Sequence, residues 1–416
     1  MAGLYNHRGY VGELGMVMTN HSVFQKGTIG SVMLKGVSNS KSNKKVKKNR
    51  DIFQATCTEK ELAEALGLYC YSIRALVCSS PGGIFQIPEE LREAYIWLKE
   101  VYARIGISCA SKVIYNDNFS VANLPELRKA KLSTFFFGED AHCVRPDRRR
   151  LEATRRFNDK TYVIDLARKL NVNTPHTLNF YRVGDVDLDK CPVQGVIKIG
   201  NSVSGLGFSR YLGKCDLECK LGFITKGANF QVQEYLSGAD FLSMQWWIND
   251  AGEACPVTGT CNFIEGDSSH AGNWGGYQIP HKELESFTRV VALEAARQGI
   301  RGWLSFDVAQ FNGRFYLIEC NPRYTGAAYP FISLIKIFGL KVARNTFWAS
   351  KSYSSSVSGI THLDLGGLEY DFQKKEGWIP INPGPLTVGD KKIALVYVGT
   401  PEKYRKSELK LQYALS

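Results

Sequence analysis

The stretch FDVAQFNGRFYLIECNPRYTG, residues 306–326, decides the fold of this chain. Apolar residues flank Asn312-Gly313, a dipeptide that is the strongest short-range signal of a β-hairpin. The pattern therefore predicts two antiparallel strands, at 303–311 and 314–319. The second strand runs into Glu-x-Asn-Pro-Arg, so acidic, amide and guanidinium side chains follow one another there.

Three segments that precede the hairpin also carry polar residues at the ends of predicted elements. They are, in chain order, Asn158-Asp159-Lys160 opening a helix at 159–170, the strand and glycine-rich loop VIKIGNSVSGLG at 196–207, and QEYLSGAD at 233–240. Lys198 lies one residue before the end of its strand, so its ammonium group can reach phosphates held by the loop that follows. Backbone N–H groups of such a loop form a nest for phosphate oxygens, and Gly205 and Gly207 permit the close approach.

The four segments, in this order, resemble the ATP-grasp superfamily over roughly residues 155–330, in particular its carboxylate–amine ligases of the amino-acid or peptide type. The resemblance implies an α/β fold of ATP-grasp type, with a lid and a core that close over ATP and exclude water. It also implies two Mg²⁺ ions as cofactors, for which Mn²⁺ can substitute.

The resemblance assigns the nucleotide-binding residues. Lys160 and Lys198 reach the triphosphate from opposite sides. The adenine hinge consists of Gln233, Glu234, Tyr235 and Leu236. Asp240 accepts hydrogen bonds from the ribose hydroxyls. Two of these positions depart from many relatives, which carry Glu in place of Gln233 and Asp240.

The metal ligands that the resemblance implies are Asp307, Glu319 and Asn321, and oxygen donors of this kind are the ones that Mg²⁺ prefers. A two-residue turn at Asn312-Gly313 would place Glu319 on the face opposite Asp307, because a shift by one residue reverses every side chain of a strand. We therefore predict a three-residue loop, 311–313, with a bulge at its glycine and with Asp307 opposite Leu317. A two-residue turn is compatible with the metal site only if a bulge lies elsewhere.

Two residues are predicted to be catalytic, Lys198 and Arg323. Arg323 is a candidate because a planar guanidinium suits a carboxylate or an acyl phosphate. In the D-alanine–D-alanine ligase branch an arginine stands two residues before the first metal aspartate, where this chain has Ser305. Arg323 or Arg301 then takes that role. Thr325 and Gly326 are candidates to line the same pocket. His270, in the polar segment 266–276, is interpreted either as a substrate contact or as part of an exposed loop.

Composition limits the remaining possibilities. The net charge is +12, but residues 1–50 hold nine Lys and Arg against one Glu, so the basic character is mostly the run NSKSNKKVKKNR at 39–50. Neither zinc-finger spacing nor an RNP-like string of aromatic residues accompanies this run, which argues against nucleic acid. Eleven scattered cysteines, no apolar leader and no apolar stretch of about 18 residues favour a cytoplasmic protein without a membrane span.

The chain is too long for one core, so we expect several units. They are a basic segment at 1–55, a small α/β domain at 56–150 with a mostly parallel sheet, an ATP-grasp region at 151–345 (lid about 176–236, core about 237–345) and a C-terminal extension at 346–416. The predicted function is ATP-dependent ligation of a small-molecule or peptide carboxylate to an amine through an acyl phosphate. The sequence does not decide whether the chain forms a homodimer. The alternatives are a non-catalytic ATP-binding regulatory or scaffold protein, and a nucleic-acid-binding protein that uses residues 39–50.

Overall fold

The computed structural model describes residues 29–30, 68–116, 127, 131–200, 208–224, 227–265, 269–357, 359–360, 363–365, 367–387 and 391–416. Gly205, Gly207 and the basic run at 39–50 lie outside these residues. Within them, no helix combines the length and the apolar character needed to cross a membrane.

The N-terminal unit is a small parallel sheet with helices around it, as predicted. Its elements are β1 (Ile29–Gly30), a 3₁₀ helix (Leu68–Cys78), β2 (Ile84–Ile87), a 3₁₀ turn (Glu89–Leu91), α1 (Arg92–Arg104), β3 (Lys112–Tyr115), β4 (Leu132–Ser133) and α2 (Glu139–Val144). The strands lie in the order β3-β2-β1-β4, and every pair is parallel. Helix α1 buries Tyr95, Leu98 and Tyr102 against this core.

Two helices connect this unit to a four-stranded antiparallel sheet, here called the lid sheet. The elements are α3 (Arg148–Asn158), α4 (Lys160–Lys169), β5 (Thr177–Phe180), a 3₁₀ turn (Val183–Asp185), β6 (Gln194–Ile199), β7 (Phe208–Leu212), α5 (Lys214–Leu221) and β8 (Phe230–Glu234). The strand order is β5-β8-β6-β7. Helix α4 begins where predicted, because the Asp159 side chain accepts a hydrogen bond from the Thr161 N–H and caps the first turn.

The rest of the chain forms one eight-stranded antiparallel sheet with helices on its faces. Its elements are β9 (Asp240–Ile248), β10 (Ala254–Glu265), β11 (Ser269–Gly275), α6 (His281–Gln298), β12 (Gly302–Phe311), β13 (Arg314–Asn321), α7 (Ala328–Phe338), α8 (Leu340–Ala343), β14 (Phe347–Ser354), β15 (Gly377–Asn382), α9 (Gly384–Thr387), β16 (Lys392–Gly399) and α10 (Pro401–Leu415). The order β13-β12-β9-β10-β11-β14-β16-β15 shows that strands of the C-terminal extension continue the same sheet as the core.

The β12–β13 hairpin corrects the predicted loop. Asn312 and Gly313 form a two-residue turn with positive φ at both positions, and Phe311 pairs directly with Arg314. The bulge lies farther along β13, at Ile318, because Val308 pairs with Leu317 whereas Asp307 pairs with Glu319. This extra residue returns Glu319 to the face of Asp307. The two-residue turn is therefore compatible with the metal site, because a bulge lies elsewhere in the hairpin.

Two further predictions of local structure are wrong. The apolar run at 71–77 predicts a strand, but these residues belong to the 3₁₀ helix Leu68–Cys78, which packs against α7 and α9. Residues 269–275, expected as a loop, form β11 between β10 and β14. The predicted domain boundary at 146–150 stays a prediction; α3 begins in this segment, and its first turn is capped by Asp147.

Candidate active site

The hairpin brings Asp307, Glu319 and Asn321 together, as predicted. Asp307 and Glu319 are paired across the strands, and Asn321 lies two residues farther along β13 on the same face. The Asn321 side-chain amide donates to Asp307 Oδ2 at 3.0 Å and to Glu319 Oε1 at 3.2 Å. Cys320 faces the other side of the sheet and is buried in the core under α6.

The two carboxyl groups titrate in opposite directions. Desolvation, together with the adjacent charge of Glu319, raises the pKa of Asp307 well above its usual range. Desolvation acts on Glu319 as well, but the positive charges of Lys160 and Lys198 outweigh it and hold the pKa of Glu319 below its usual range. Opposite shifts of this kind are expected for two carboxyl groups held side by side, because their negative charges repel each other.

Lys160 and Lys198 reach this acidic pair from two different elements. Lys160 is the first residue of α4, and its Nζ lies 3.6 Å from Glu319 Oε2. Its backbone N–H donates to the carbonyl of Gly200 at the end of β6, which ties the helix to the lid sheet. Lys198 lies on β6 and is 6% exposed, and desolvation lowers its pKa to about 8 although Glu319 and Asp307 attract its charge.

Gln233 lies beside Lys198 on the lid sheet. Lys198 Nζ donates to Gln233 Oε1 at 2.7 Å, and Gln233 Nε2 donates to the Thr177 hydroxyl at 2.9 Å. Both ends of this buried amide therefore have protein partners. The contact between Gln233 and adenine stays a prediction, and the amide has a second role that the sequence did not suggest, since it fixes the Lys198 ammonium group.

The remaining hinge residues continue from β8. Glu234 is exposed, Tyr235 stacks under Arg210 at 4.2 Å, and Leu236 is buried. Their backbone contacts with adenine stay predictions.

Asp240, a predicted nucleotide-binding residue that the structure describes, lies apart from the acidic pair. It begins β9, is exposed and pairs with Gln310. Ser243, which pairs with Asp307, is three residues away. Because successive side chains alternate between faces, this odd separation turns Asp240 to the opposite face of the sheet from Ser243 and Asp307. Its contact with the ribose hydroxyls stays a prediction.

Arg323 lies just beyond the acidic residues, and its charge acts on both Asp307 and Glu319. Its Nη1 donates to Asn158 Oδ1 at 2.7 Å. Arg301 is different, because its guanidinium donates to the backbone carbonyls of 250, 296 and 300. Arg301 precedes Asp307 by six residues, roughly 20 Å along a strand. Arg323 is therefore the arginine at the site.

A buried polar network supports the site from below. The hydroxyls of Ser243 and Ser305 lie 2.8 Å apart, and Gln245 Nε2 donates to both of them. Gln245 Oε1 accepts from Trp303 Nε1 at 2.8 Å and from the Thr325 hydroxyl at 3.1 Å. Ser305 is fully buried among these partners. The position that carries arginine in the D-alanine–D-alanine ligase branch is thus a small neutral group here.

His270 lies at the edge of the same region. Its Nε2 is 3.2 Å from Asn273 Oδ1, and a Cβ placed on Gly326 would lie 3.5 Å from that oxygen and 3.8 Å from His270 Cε1. His270 is exposed on β11 beside the segment that follows Arg323. A role in substrate contact stays a prediction.

The donor set fits magnesium. The described residues hold no cluster of three or more His, Cys, Asp or Glu side chains, the kind of set that builds a closed metal cage. Two carboxylates and an amide oxygen on one face instead suit Mg²⁺, which is usually held by one or two carboxylates and completed by water and substrate phosphates. The two lysines beside Glu319 would then meet the phosphates.

Comparison with solved structures finds the same architecture in several proteins. N5-carboxyaminoimidazole synthetase from Staphylococcus aureus, complexed with ADP, has 11% identity and a TM-score of 0.56, over 82% of this chain and 94% of that one. L-amino acid ligase from Bacillus licheniformis has 14% identity and a TM-score of 0.55, over 83% and 95%. Biotin carboxylase from Campylobacter jejuni, in a β,γ-ATP complex, has 13% identity and a TM-score of 0.55, over 80% and 85%. No family model and no curated protein matches the sequence. At these identities the likeness establishes the fold alone.

Proposed function

This chain has the ATP-grasp fold, and we propose that it is an ATP-dependent ligase that joins a carboxylate to an amine and releases ADP and phosphate. One observation carries the proposal. The charged residues come from four elements (α4, β6, β12 and β13) and the loop after β13, yet their charges meet at one place; they are Lys160, Lys198, Asp307, Glu319 and Arg323. A site that holds two lysines against two carboxyl groups and an arginine is suited to a polyphosphate with divalent cations.

The phosphate tail of ATP binds between the lid sheet and the hairpin. Lys160 and Lys198 neutralise phosphate oxygens, and Gln233 keeps the Lys198 ammonium in position. Asp307, Glu319 and Asn321 would hold Mg²⁺, which supplies charge neutralisation at the β- and γ-phosphates. The pKa of Lys198, about 8, leaves the side chain mostly cationic at pH 7.

Arg323 lies beside the acidic pair, where it would hold the carboxylate that accepts the γ-phosphoryl group. Its hydrogen bond to Asn158 fixes one edge of the guanidinium. A carboxylate held by such a planar group approaches the γ-phosphorus in a defined direction, which favours in-line attack.

The reaction then has two steps. A carboxylate oxygen of the first substrate attacks the γ-phosphorus, the bond to the β–γ bridging oxygen breaks, and ADP leaves. The amine of the second substrate attacks the acyl carbon of the acyl phosphate, phosphate leaves, and the nitrogen loses a proton. The lid sheet covers the site, which protects the hydrolysable intermediate from water.

The proposal predicts nucleotide release that depends on both substrates. Purified protein with Mg²⁺ and ATP is tested against pooled carboxylic acids and pooled amines, and nucleotides are separated by chromatography. We expect ADP in step with amide, no AMP and no pyrophosphate. Glu319→Gln is the matched inactive control, because it keeps the shape of the side chain and removes one carboxylate charge.

Three other results would contradict the proposal. AMP in proportion to product would show that the carboxylate is adenylated and that no γ-phosphoryl transfer takes place. ATP binding without acceptor-dependent turnover in any pool would favour the regulatory or scaffold alternative. Loss of activity on deletion of residues 39–50 would favour the nucleic-acid alternative.

A further inference from the structure

A second cavity lies at the contact between the N-terminal unit and the large sheet. Its volume is about 70 Å³, which suits a small polar group. Strand β4 and the segment after it form one wall, α3 contributes Arg150, and the ends of β9 and β12 contribute Trp247 and Trp303. Arg323 and Tyr324 also line it, so the cavity begins next to the arginine of the active site.

Three residues of its lining have unused hydrogen-bonding groups. Within the described part of the chain, the Thr134 hydroxyl, Arg150 Nε and Trp247 Nε1 are buried and have no hydrogen-bond partner. Thr134 is 7% exposed and Trp247 is 8% exposed. A buried polar atom without a partner is costly, so three of them around one cavity require an explanation.

Arg150 has the largest unused capacity. A guanidinium has five N–H donors, and the side chain of Arg150 uses one of them, from Nη2 to the carbonyl of Arg301 at 3.0 Å. Its plane lies over the Phe137 ring at 4.2 Å, which holds it in place. Desolvation lowers the pKa of Arg150, so an anion beside it would recover part of the energy lost on burial.

The charges of the lining favour an anion. Four of its side chains are cationic and one, Asp250, is acidic. The cationic residues are Lys131, Arg150, Arg301 and Arg323. Asp250 is paired with Lys131 at 2.7 Å, and both side chains extend toward solvent. The unpaired groups inside are two N–H donors and one hydroxyl, which suits an acceptor with two oxygens.

We propose that this cavity binds a carboxylate group, with Thr134, Arg150 and Trp247 as its donors. Only one of these three donors, Arg150, is charged, which is too little positive charge for a phosphate. The three donors match a planar group that accepts hydrogen bonds from two or three directions. Where the ligase function proposed above also holds, this carboxylate is a second one, which anchors the substrate while its reacting group meets Arg323. The enzyme then selects a substrate with two carboxyl groups, such as a dicarboxylic acid or an acidic amino acid.

The indole N–H of Trp247 reports on the cavity directly. The chain has seven tryptophans, so protein labelled with ¹⁵N at the indoles gives a small set of signals, and Trp247→Phe identifies the one that belongs to Trp247. The protein is titrated without nucleotide with acetate, glycine and succinate, and separately with inorganic phosphate. We expect the carboxylates to shift the Trp247 signal and phosphate to leave it in place.

Three variants test the donors. Thr134→Val and Arg150→Met should each weaken carboxylate binding roughly 10-fold or more, since each removes a hydrogen bond to a charged group. Thr134→Ser keeps the hydroxyl and should bind like the wild type. Arg148→Met is the matched control, because Arg148 lies on the same helix, is 86% exposed and pairs with Glu152.

A Trp247 signal that no carboxylate moves at tens of millimolar would overturn the proposal and leave a cavity that holds solvent only. Tighter binding of phosphate would overturn the ligand class, and equal affinities in all variants would overturn the donor assignment. Because no nucleotide is present, a negative result leaves the ligase proposal standing, and failure of the ligase test leaves a positive binding result intact.

Discussion

Replacing Lys198 by methionine should lower the affinity for Mg·ATP without lowering the stability of the protein. The side chain is buried on β6, where Gln233 holds its ammonium group 2.7 Å from the amide oxygen. If this ammonium binds a phosphate, its loss removes a hydrogen bond between charged groups, which contributes about 1.5–3 kcal/mol. We therefore expect Mg·ATP to bind about 10- to 100-fold more weakly.

Lys198→Met should keep or raise the free energy of unfolding, although it lowers the affinity for Mg·ATP. The pKa of Lys198 falls from its usual 10.5 to about 8 on burial, and each pKa unit corresponds to about 1.4 kcal/mol. Keeping the buried side chain charged at pH 7 therefore costs about 3 kcal/mol of folding free energy. Methionine removes this cost but leaves Gln233 Oε1 without its donor, a loss of about 1–3 kcal/mol. The variant should be as stable as the wild type or more stable, by up to about 2 kcal/mol.

The pH dependence follows from the same pKa. Below pH 8 Lys198 is charged in the folded and the unfolded chain, so the cost is complete. Between pH 8 and 10.5 the unfolded chain binds more protons than the folded one, so wild-type stability rises with pH. The advantage of Lys198→Met should therefore be largest below pH 8 and decline toward pH 10.5.

Lys336→Met is the matched control. Lys336 is also buried with a pKa of about 8, but its ammonium donates to the carbonyls of Ser79 and Ser108, on the N-terminal unit. It should show a similar pH profile of unfolding and unchanged nucleotide affinity. The measurements are calorimetric titration with Mg·ATP and urea unfolding at pH 7, 8, 9 and 10. Wild-type affinity in Lys198→Met, or equal weakening in both variants, would refute the placement of the phosphate beside Lys198.

Three further predictions concern turnover. Glu319→Gln should lower kcat on the order of 10²-fold or more in the ADP-release assay with little change in thermal midpoint, and a variant with wild-type turnover would remove Glu319 from the mechanism. Arg323→Lys keeps the charge but loses the planar donor pair, so kcat should fall on the order of 10²-fold while calorimetry gives an unchanged affinity for Mg·ATP; an equal loss in both quantities would argue against a role at the acyl end. Deletion of residues 39–50 should leave ADP release unchanged, and its abolition would contradict a ligase that works without this run.

Local patterns predicted the elements around the site well. Alternation and the Asn-Gly turn located β12 and β13, and Asp159 marked the start of α4. The position of the bulge was not predictable in this way. Residues 315–318 are all apolar, so no alternation of polar and apolar residues indicates which of them face the core. The choice of Ile318 is made by packing, since Leu317 and Cys320 are both buried under α6.

Long-range pairing explains most of the errors elsewhere. Strand β11 is rich in glycine and polar residues, and it becomes a strand because β10 and β14, the latter more than 70 residues later, pair with its two edges. The continuation of the core sheet into β14–β16 also depends on long-range pairing, so local sequence patterns do not predict it. Asn158 was within the quoted motif, but its contact with Arg323 joins residues 165 positions apart. The Ser243–Gln245–Ser305 network has no sequence signal, because it exists only when β9 and β12 pair.

The most direct test of γ-phosphoryl transfer follows the oxygen of the substrate. A carboxylate substrate identified in the pooled screen is labelled with ¹⁸O in its carboxyl group, and the phosphate and nucleotide products are analysed by mass spectrometry after turnover. Attack of the carboxylate on the γ-phosphorus predicts one ¹⁸O in each inorganic phosphate released and none in the nucleotide. Label in AMP would show adenylation, and unlabelled phosphate would show that the carboxylate never attacked phosphorus; either result would contradict the mechanism.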